Sequence, residues 1–289
     1  MPVVAPYVTT YTSHVPYITL AEWLAAPTSL DIFNLVPGGT QEQQNAAIRS
    51  QIERASSWID RICHQVLAAT KDTSIRRCRV DVRGYVKMPL PRKPVLEVVA
   101  VSVGSSPSNM SALSTLVDVE IGEHGVVSIP VYNASLGRGS LPQPLVQVTY
   151  INGWPNTLLA ANVPASASSL TVASSLGIYP GSVLSIYDTD LTGGTEQVTV
   201  ASTFVPGGTT VPLTAPTQYA HVSGTSFSSL PPVVKEAAVL LTSALLQTRG
   251  ADALVIGSTD PPQQTPMSNG MSQAERLASA MLADYRRVR

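Results

Sequence analysis

Residues 40–67, TQEQQNAAIRSQIERASSWIDRICHQVL, constrain the chain more than any other stretch. Their larger apolar residues fall at Ile48, Ile52, Ala55, Ile59, Ile62 and Val66, a spacing that alternates four and three and that only a helix places on one stripe. Thr40 and Gln43 stand where a capping box opens a helix, and Pro37-Gly38-Gly39 breaks whatever precedes it. Burying this stripe at about 1.5–3 kcal/mol per large side chain contributes roughly 10 kcal/mol before chain entropy is subtracted. Such a helix needs a partner surface. A coiled-coil seam would use the same mean spacing, but the stretch is short of four heptads and carries Ser56 and Ser57, so it reads as a packed bundle helix.

Composition narrows the class. The chain has 289 residues, enough for one large or two modest domains with a real core, and only 13% of them are charged. That is about half the ordinary share. Either a Ser/Thr-rich surface is simply solvated, or much of the exterior is buried in an assembly. A net charge of -1 gives no overall footprint for wrapping nucleic acid. The two cysteines, Cys63 in the helix and Cys78 in an expected strand, make no disulfide framework and read as reduced and buried. MPVVAPYVTT lacks the basic start and apolar run of a signal peptide, and apolar runs such as 237–241 are too short to span a bilayer. The expectation is a soluble protein of a reducing compartment.

In chain order, residues 1–17 are rich in Pro, Thr and Tyr and suit an extended arm, laid across a neighbour or left free. Thr19 and Glu22 cap a short helix over 20–26 that Pro27 stops. After the long helix, strands are expected over 75–82, 95–103 and 145–151, with a hairpin of 117–121 and 126–129 around Gly122-Glu123-His124-Gly125. MPLPRKP (88–94) reads as an extended connection or sheet edge. Between 165 and 228 charge nearly vanishes and no helical period survives. Short strands are expected there at 169–173, 182–187, 196–201 and 209–213, separated by turns at Tyr179-Pro180-Gly181, Thr192-Gly193-Gly194 and Pro206-Gly207-Gly208, as in a small sandwich or barrel. Helix returns over 231–250, with Val234, Ala238, Leu241 and Leu245 on one stripe. Residues 257–270 read as a linker, and Ser272 and Glu275 as the cap of a last helix. Its Ala274, Leu277, Ala278, Met281, Leu282 and Tyr285 form one face before Arg286-Arg287-Val288-Arg289, a shape made for docking.

Candidate chemistry is sparse. His14, His64, His124 and His221 are isolated in the sequence, without metal-ligand spacing, and Cys63 and His64 point about 100° apart on a helix, so they cannot act as nucleophile and base. Nucleophile-elbow, P-loop and dinucleotide fingerprints do not occur. Asp118, Glu120 and Glu123 cluster at the hairpin and read first as a solvated turn.

The order of elements carries more. YITLAEWLAAP (17–27), the helix from 41 to 67, MPLPRKPVLEVVAVSVG (88–104), VQVTYINGWP (146–155) and PPVVKEAAVLLTSALLQTRG (231–250) follow one another in a way that resembles the head-to-tail connector, or adaptor, proteins of long-tailed bacteriophages. The resemblance covers most of 17–157 and 229–256, and 158–228 interrupts it as an inserted β module similar to those scattered through phage structural proteins. It implies a non-enzymatic virion structural protein at the neck, assembled in the host cytoplasm without cofactor or metal. Its copies would form a ring, usually twelvefold, under the portal protein and against head-completion or tail proteins, with DNA passing through unread and no membrane involved. The expected fold is α+β: a helical bundle core with a small antiparallel sheet (1–157 and 229–289) and the all-β insert (158–228). Leu277, Met281, Leu282, Tyr285, Arg286, Arg287 and Arg289 are the expected portal-facing residues. Two other readings stand beside it: another virion component, such as a head-completion or tail protein, and a glycan-binding protein built on the β module, where aromatics and paired carboxylates are few.

Overall fold

The computed structural model describes residues 15–28, 30, 35–122, 125–131, 143–188, 194–248 and 266–287. It divides into two compact units, one over 68–154 and the other over 15–67 with 155–286. The fold is mostly β, 33% strand against 26% helix, with four antiparallel sheets and four helices among the described residues. This corrects the expectation of a helical bundle core. The helices do pack in series, but the two hydrophobic clusters that fill the sheets are built from strand residues. Several of the strands are only three residues long, too short to show a period beside the 23-residue amphipathic helix.

The unit over 68–154 is a two-sheet sandwich. One sheet has the order β1-β7-β3-β4, from β1 (Thr70–Arg77), β3 (Val95–Ser106), β4 (Asn109–Ala112) and β7 (Leu145–Asn152). The other has the order β2-β6-β5, from β2 (Tyr85–Pro89), β5 (Glu120–Ile121) and β6 (Val126–Pro130). Period-two alternation turns Val101, Val103, Val146, Val148 and Tyr150 of the first sheet and Val86, Met88, Val127 and Ile129 of the second into one core. The strand expected over 75–82 instead ends at Arg77: Cys78 stays buried, but the chain then turns and Val82 is fully exposed. Arg92 is held by Asp72, whose two oxygens accept from its Nη1 at 2.9 and 2.8 Å, while Asn152 Nδ2 donates to the same carboxylate at 2.6 Å.

In the other unit a barrel is flanked by helices. Its strands are β8 (Asn156–Leu158), β9 (Ser169–Thr171), β10 (Val183–Tyr187), β11 (Glu196–Thr199), β12 (Thr210–Pro212) and β13 (Ser226–Ser228). The order β11-β10-β13-β8 and the pair β12-β9 are joined by bridges Leu159↔Val172 and Val200↔Leu213, so the ladder runs round and closes. A closed barrel removes free edges. Leu170, Val172, Leu184, Ile186, Val211 and Phe227 are among the residues filling it. Sequence reading located β9 to β12 but missed β8 and β13, three residues each and without an apolar run.

Helix α1 (Leu20–Ala25) has the Thr19/Glu22 capping box, and α2 (Gln41–Cys63) has the Thr40/Gln43 box. α2 ends four residues before the expected 67. His64 takes the left-handed conformation at φ 56, and Gln65 N–H donates back to Asp60 O at 3.2 Å, a Schellman stop made without glycine and hence unmarked in the sequence. α3 (Pro232–Thr248) packs on α2, and α4 (Pro266–Met281) packs on α3. α4 thus starts six residues before the expected cap at Ser272, with Pro266 at its first helical position, where a fixed φ favours initiation. Residues 257–265 of the expected linker, Gly250 and residues 1–14 of the expected arm lie outside the described residues. Tyr17 and Ile18 are buried.

Tyr17 shows how the segment before α1 is tied to α2. Its N–H donates to Ser56 Oγ at 3.1 Å, its hydroxyl donates to Asp60, and the same hydroxyl accepts the Leu67 N–H at 2.9 Å. Ser56, buried on the helix, and half-buried Asp60 are thereby tied to the same tyrosine. Tyr17→Phe strips a buried N–H and a carboxylate of their partner, and we expect a loss of about 1–3 kcal/mol, read as a lower urea midpoint at unchanged m-value.

Candidate docking surface

On α4 the residues Ala274, Ala278 and Leu282 are buried on the side that packs against α3. Part of the face expected to dock elsewhere is thus already covered within the chain. Leu277 remains 52% exposed, and Met281 and Tyr285 are half-buried. The Tyr285 carbonyl accepts from Gln65 Nε2 at 2.8 Å, tying the turn after α4 to the end of α2. Arg286 is exposed, and its Nη2 donates to Ser279 O at 2.9 Å and to the Ser279 hydroxyl. Arg287 is half-buried, and Arg289 lies outside the described residues. The structure brings Leu282 into the core and leaves Leu277, Met281 and Arg286 accessible.

Beside Leu277 runs a groove of about 670 Å³ between the end of α1, α3 and α4, lined by Pro27, Val239, Leu240, Ala244, Ala274 and Leu277 among others, with Glu236 and Gln247 contributing polar lining. Its walls follow from α3, whose buried stripe of Val234, Ala238, Leu241 and Leu245 is widened by half-exposed Val239 and Leu240. A helix apolar beyond one stripe leaves an oily flank once its first partner is in place.

The floor of this unit is held by a buried cation. Glu22 divides its carboxylate: Oε2 accepts the Thr19 N–H of the capping box at 2.6 Å, and Oε1 meets Lys235 Nζ at 2.5 Å. Lys235 Nζ also donates to Ser226 Oγ at 3.2 Å and lies 3.9 Å from the centroid of the Tyr187 ring. Burial lowers the Lys235 pKa, while the Glu22 carboxylate opposes that shift. One ammonium therefore ties α1, α3, β10 and β13 together.

His221 was isolated in the sequence and is not isolated in space. Its Nδ1 lies 2.9 Å from Asp188 Oδ2 and its Nε2 lies 2.6 Å from Glu196 Oε1, with the imidazole fully buried. Glu196 Oε2 also accepts the Gln218 N–H at 2.7 Å. The two carboxylates sit at opposite ring nitrogens, so the groups brace one another and do not converge on a shared ligand position. Among the described residues no group of three or more His, Cys, Asp and Glu is arranged to hold a metal ion. Of the other histidines, His64 caps α2, and His14 and His124 lie outside the described residues. The only sequence signal for the His221 brace was the presence of charged residues in a stretch almost devoid of them.

The cysteines are poor nucleophiles. Burial, with Asp60 nearby, raises the Cys63 pKa to about 12, and burial raises that of Cys78. Among the described residues no helix is long and apolar enough to cross a membrane.

No family model and no curated protein matches the chain. Among solved structures it is similar to one titled "Neck of empty GTA particle computed with C6 symmetry", at 12% identity over 94% of this chain and 94% of that one, with a TM-score of 0.34.

Two outcomes follow from these buried groups. His221→Ala removes the buried imidazole that bridges Asp188 and Glu196, and we expect a loss of about 3 kcal/mol in chemical denaturation. The stability that protonated Cys63 contributes is complete below its ordinary pKa of 9.0 and is lost as pH rises toward about 12, because the unfolded thiol ionises first. Cys63→Ala should flatten the fall of unfolding free energy with pH across that window, measured by urea titration at each pH.

Proposed function

We propose that the chain is a non-enzymatic virion structural protein of the neck, a head-to-tail adaptor whose copies form a ring under the portal and continue the DNA channel toward the tail. The observation that carries this reading is the order of elements with its packing: α1, α2, β3, β7 and α3 follow the blocks that resemble connector proteins, and α2 lies against α3 although the barrel separates them in sequence. In this reading 1–157 and 229–289 form the connector part, and 158–228, containing most of the barrel, is an insertion. The low share of charge fits a subunit whose sides are covered by neighbours. The accessible part of α4, with the apolar groove beside it, fits a surface that meets the portal.

Particles lacking this protein should accumulate as DNA-filled heads without tails in electron micrographs. Normal numbers of tailed particles would overturn the adaptor role. For the portal contact, Leu277→Asp changes an exposed residue, so folding should survive within about 0.5 kcal/mol while capture by purified portal falls about tenfold.

A further inference from the structure

The sheet β2-β6-β5 carries opposite charge at its two edges. On the β2 side, the bridge Val80↔Val86 folds the preceding segment alongside, so the residues around 79–87 form that edge. Here Arg79, Arg83 and Lys87 are all exposed. Asp81 is the acidic residue among them. Its Oδ1 accepts the Arg83 and Tyr85 N–H groups at 2.8 and 2.9 Å, so it is engaged in the turn. Those hydrogen bonds, led by that of Tyr85 and assisted by the Arg83 and Lys87 charges, hold its pKa below the ordinary value. On the other side, β5 and the residues leading into it expose Asp118 and Glu120.

The register makes the gradient explicit. Lys87 pairs with Ser128, and Ser128 with Glu120, while Val86, Met88, Val127 and Ile129 beside them are buried. Lys87, Ser128 and Glu120 therefore form one row across the outer face, cationic at one end and anionic at the other. Each edge also displays apolar side chains. Val82 at the tip of the cationic turn is 105% exposed, and Val117 and Ile121 at the anionic edge are 87% and 41% exposed. Each edge thus sets an exposed valine beside charge, and the sign of that charge differs between the two edges.

We infer that these edges are the two sides of a head-to-tail contact between copies of this chain: the turn around Val82, with Arg79, Arg83 and Lys87, seats against Val117, Asp118, Glu120 and Ile121 of the next copy. A contact between two different surfaces of one subunit propagates around a circle and closes when its rotation allows. Opposite charges fix its direction and register, because turning one copy over sets like charge against like. The apolar residues supply area that the charges alone would leave wet. The inference rests on the ring reading and adds to it which surfaces meet.

The test is a charge exchange in the full-length protein, with oligomer mass measured alone and on purified portal. All four positions are exposed, and circular dichroism melts should confirm unchanged folding. Arg79→Glu with Lys87→Glu should reduce the ring population at least about tenfold, as should Asp118→Lys with Glu120→Lys. Combining the four substitutions should restore rings to near the wild-type level, and Val82→Ser should weaken them without abolishing salt sensitivity. Rings unaffected by either pair, or unrescued by the combination, would overturn the edge assignment while leaving the adaptor reading standing. Wild-type protein that stays monomeric both free and on portal would overturn the ring and the edges together. Loss of DNA retention with rings intact would show that the cationic turn meets phosphate and not a neighbouring copy.

Discussion

Pairing of β8 with β13 is the contact on which the larger unit depends. Asn156 sits opposite Ser228 and Leu158 opposite Ser226, so the chain enters and leaves the barrel on adjacent antiparallel strands. Closing that loop costs entropy that grows only slowly with its length, and the barrel core offsets the cost. Once the pair forms, α3 must begin beside the point where the chain entered. Asn156 Nδ2 donates to the carbonyls of Val15 and Pro16 at 3.0 and 3.2 Å, so the segment leading into α1 is held at the same place. The packing of α3 against α2 follows from a strand pair only three residues long.

Around that junction the protein buries charge where a larger core would use hydrocarbon. Lys235, Glu22, His221, Asp188 and Glu196 are almost wholly enclosed. Such groups add little net stability compared with apolar residues of equal size, but each tolerates one arrangement of its partners. A ring multiplies any error in subunit geometry around its circumference. Groups that enforce one geometry fit the ring proposed above, in which the same subunit geometry recurs at every position.

The two outward surfaces differ in kind. The groove beside Leu277 is apolar and lies between helices, a form suited to receiving a side chain or short helix. The edges of the β2-β6-β5 sheet expose charge of opposite sign, the arrangement from which the contact between copies is inferred.

Much of this could be read from residues alone. The helix stripes, both capping boxes, the central barrel strands and the poverty of catalytic motifs follow from local rules of spacing and capping, which act over a few residues and leave a mark in the sequence. The balance of the fold did not follow. β8 and β13 lack a period long enough to see, and the helix stop at His64 uses a left-handed residue without glycine. The brace of His221 between Asp188 and Glu196 joins residues 25 and 33 positions away. Local interactions decide whether a segment prefers helix or strand. Only closure of the chain in space decides which polar groups meet, which apolar faces are covered and which edges are left for a neighbour, because those depend on contacts between residues that the linear order keeps apart.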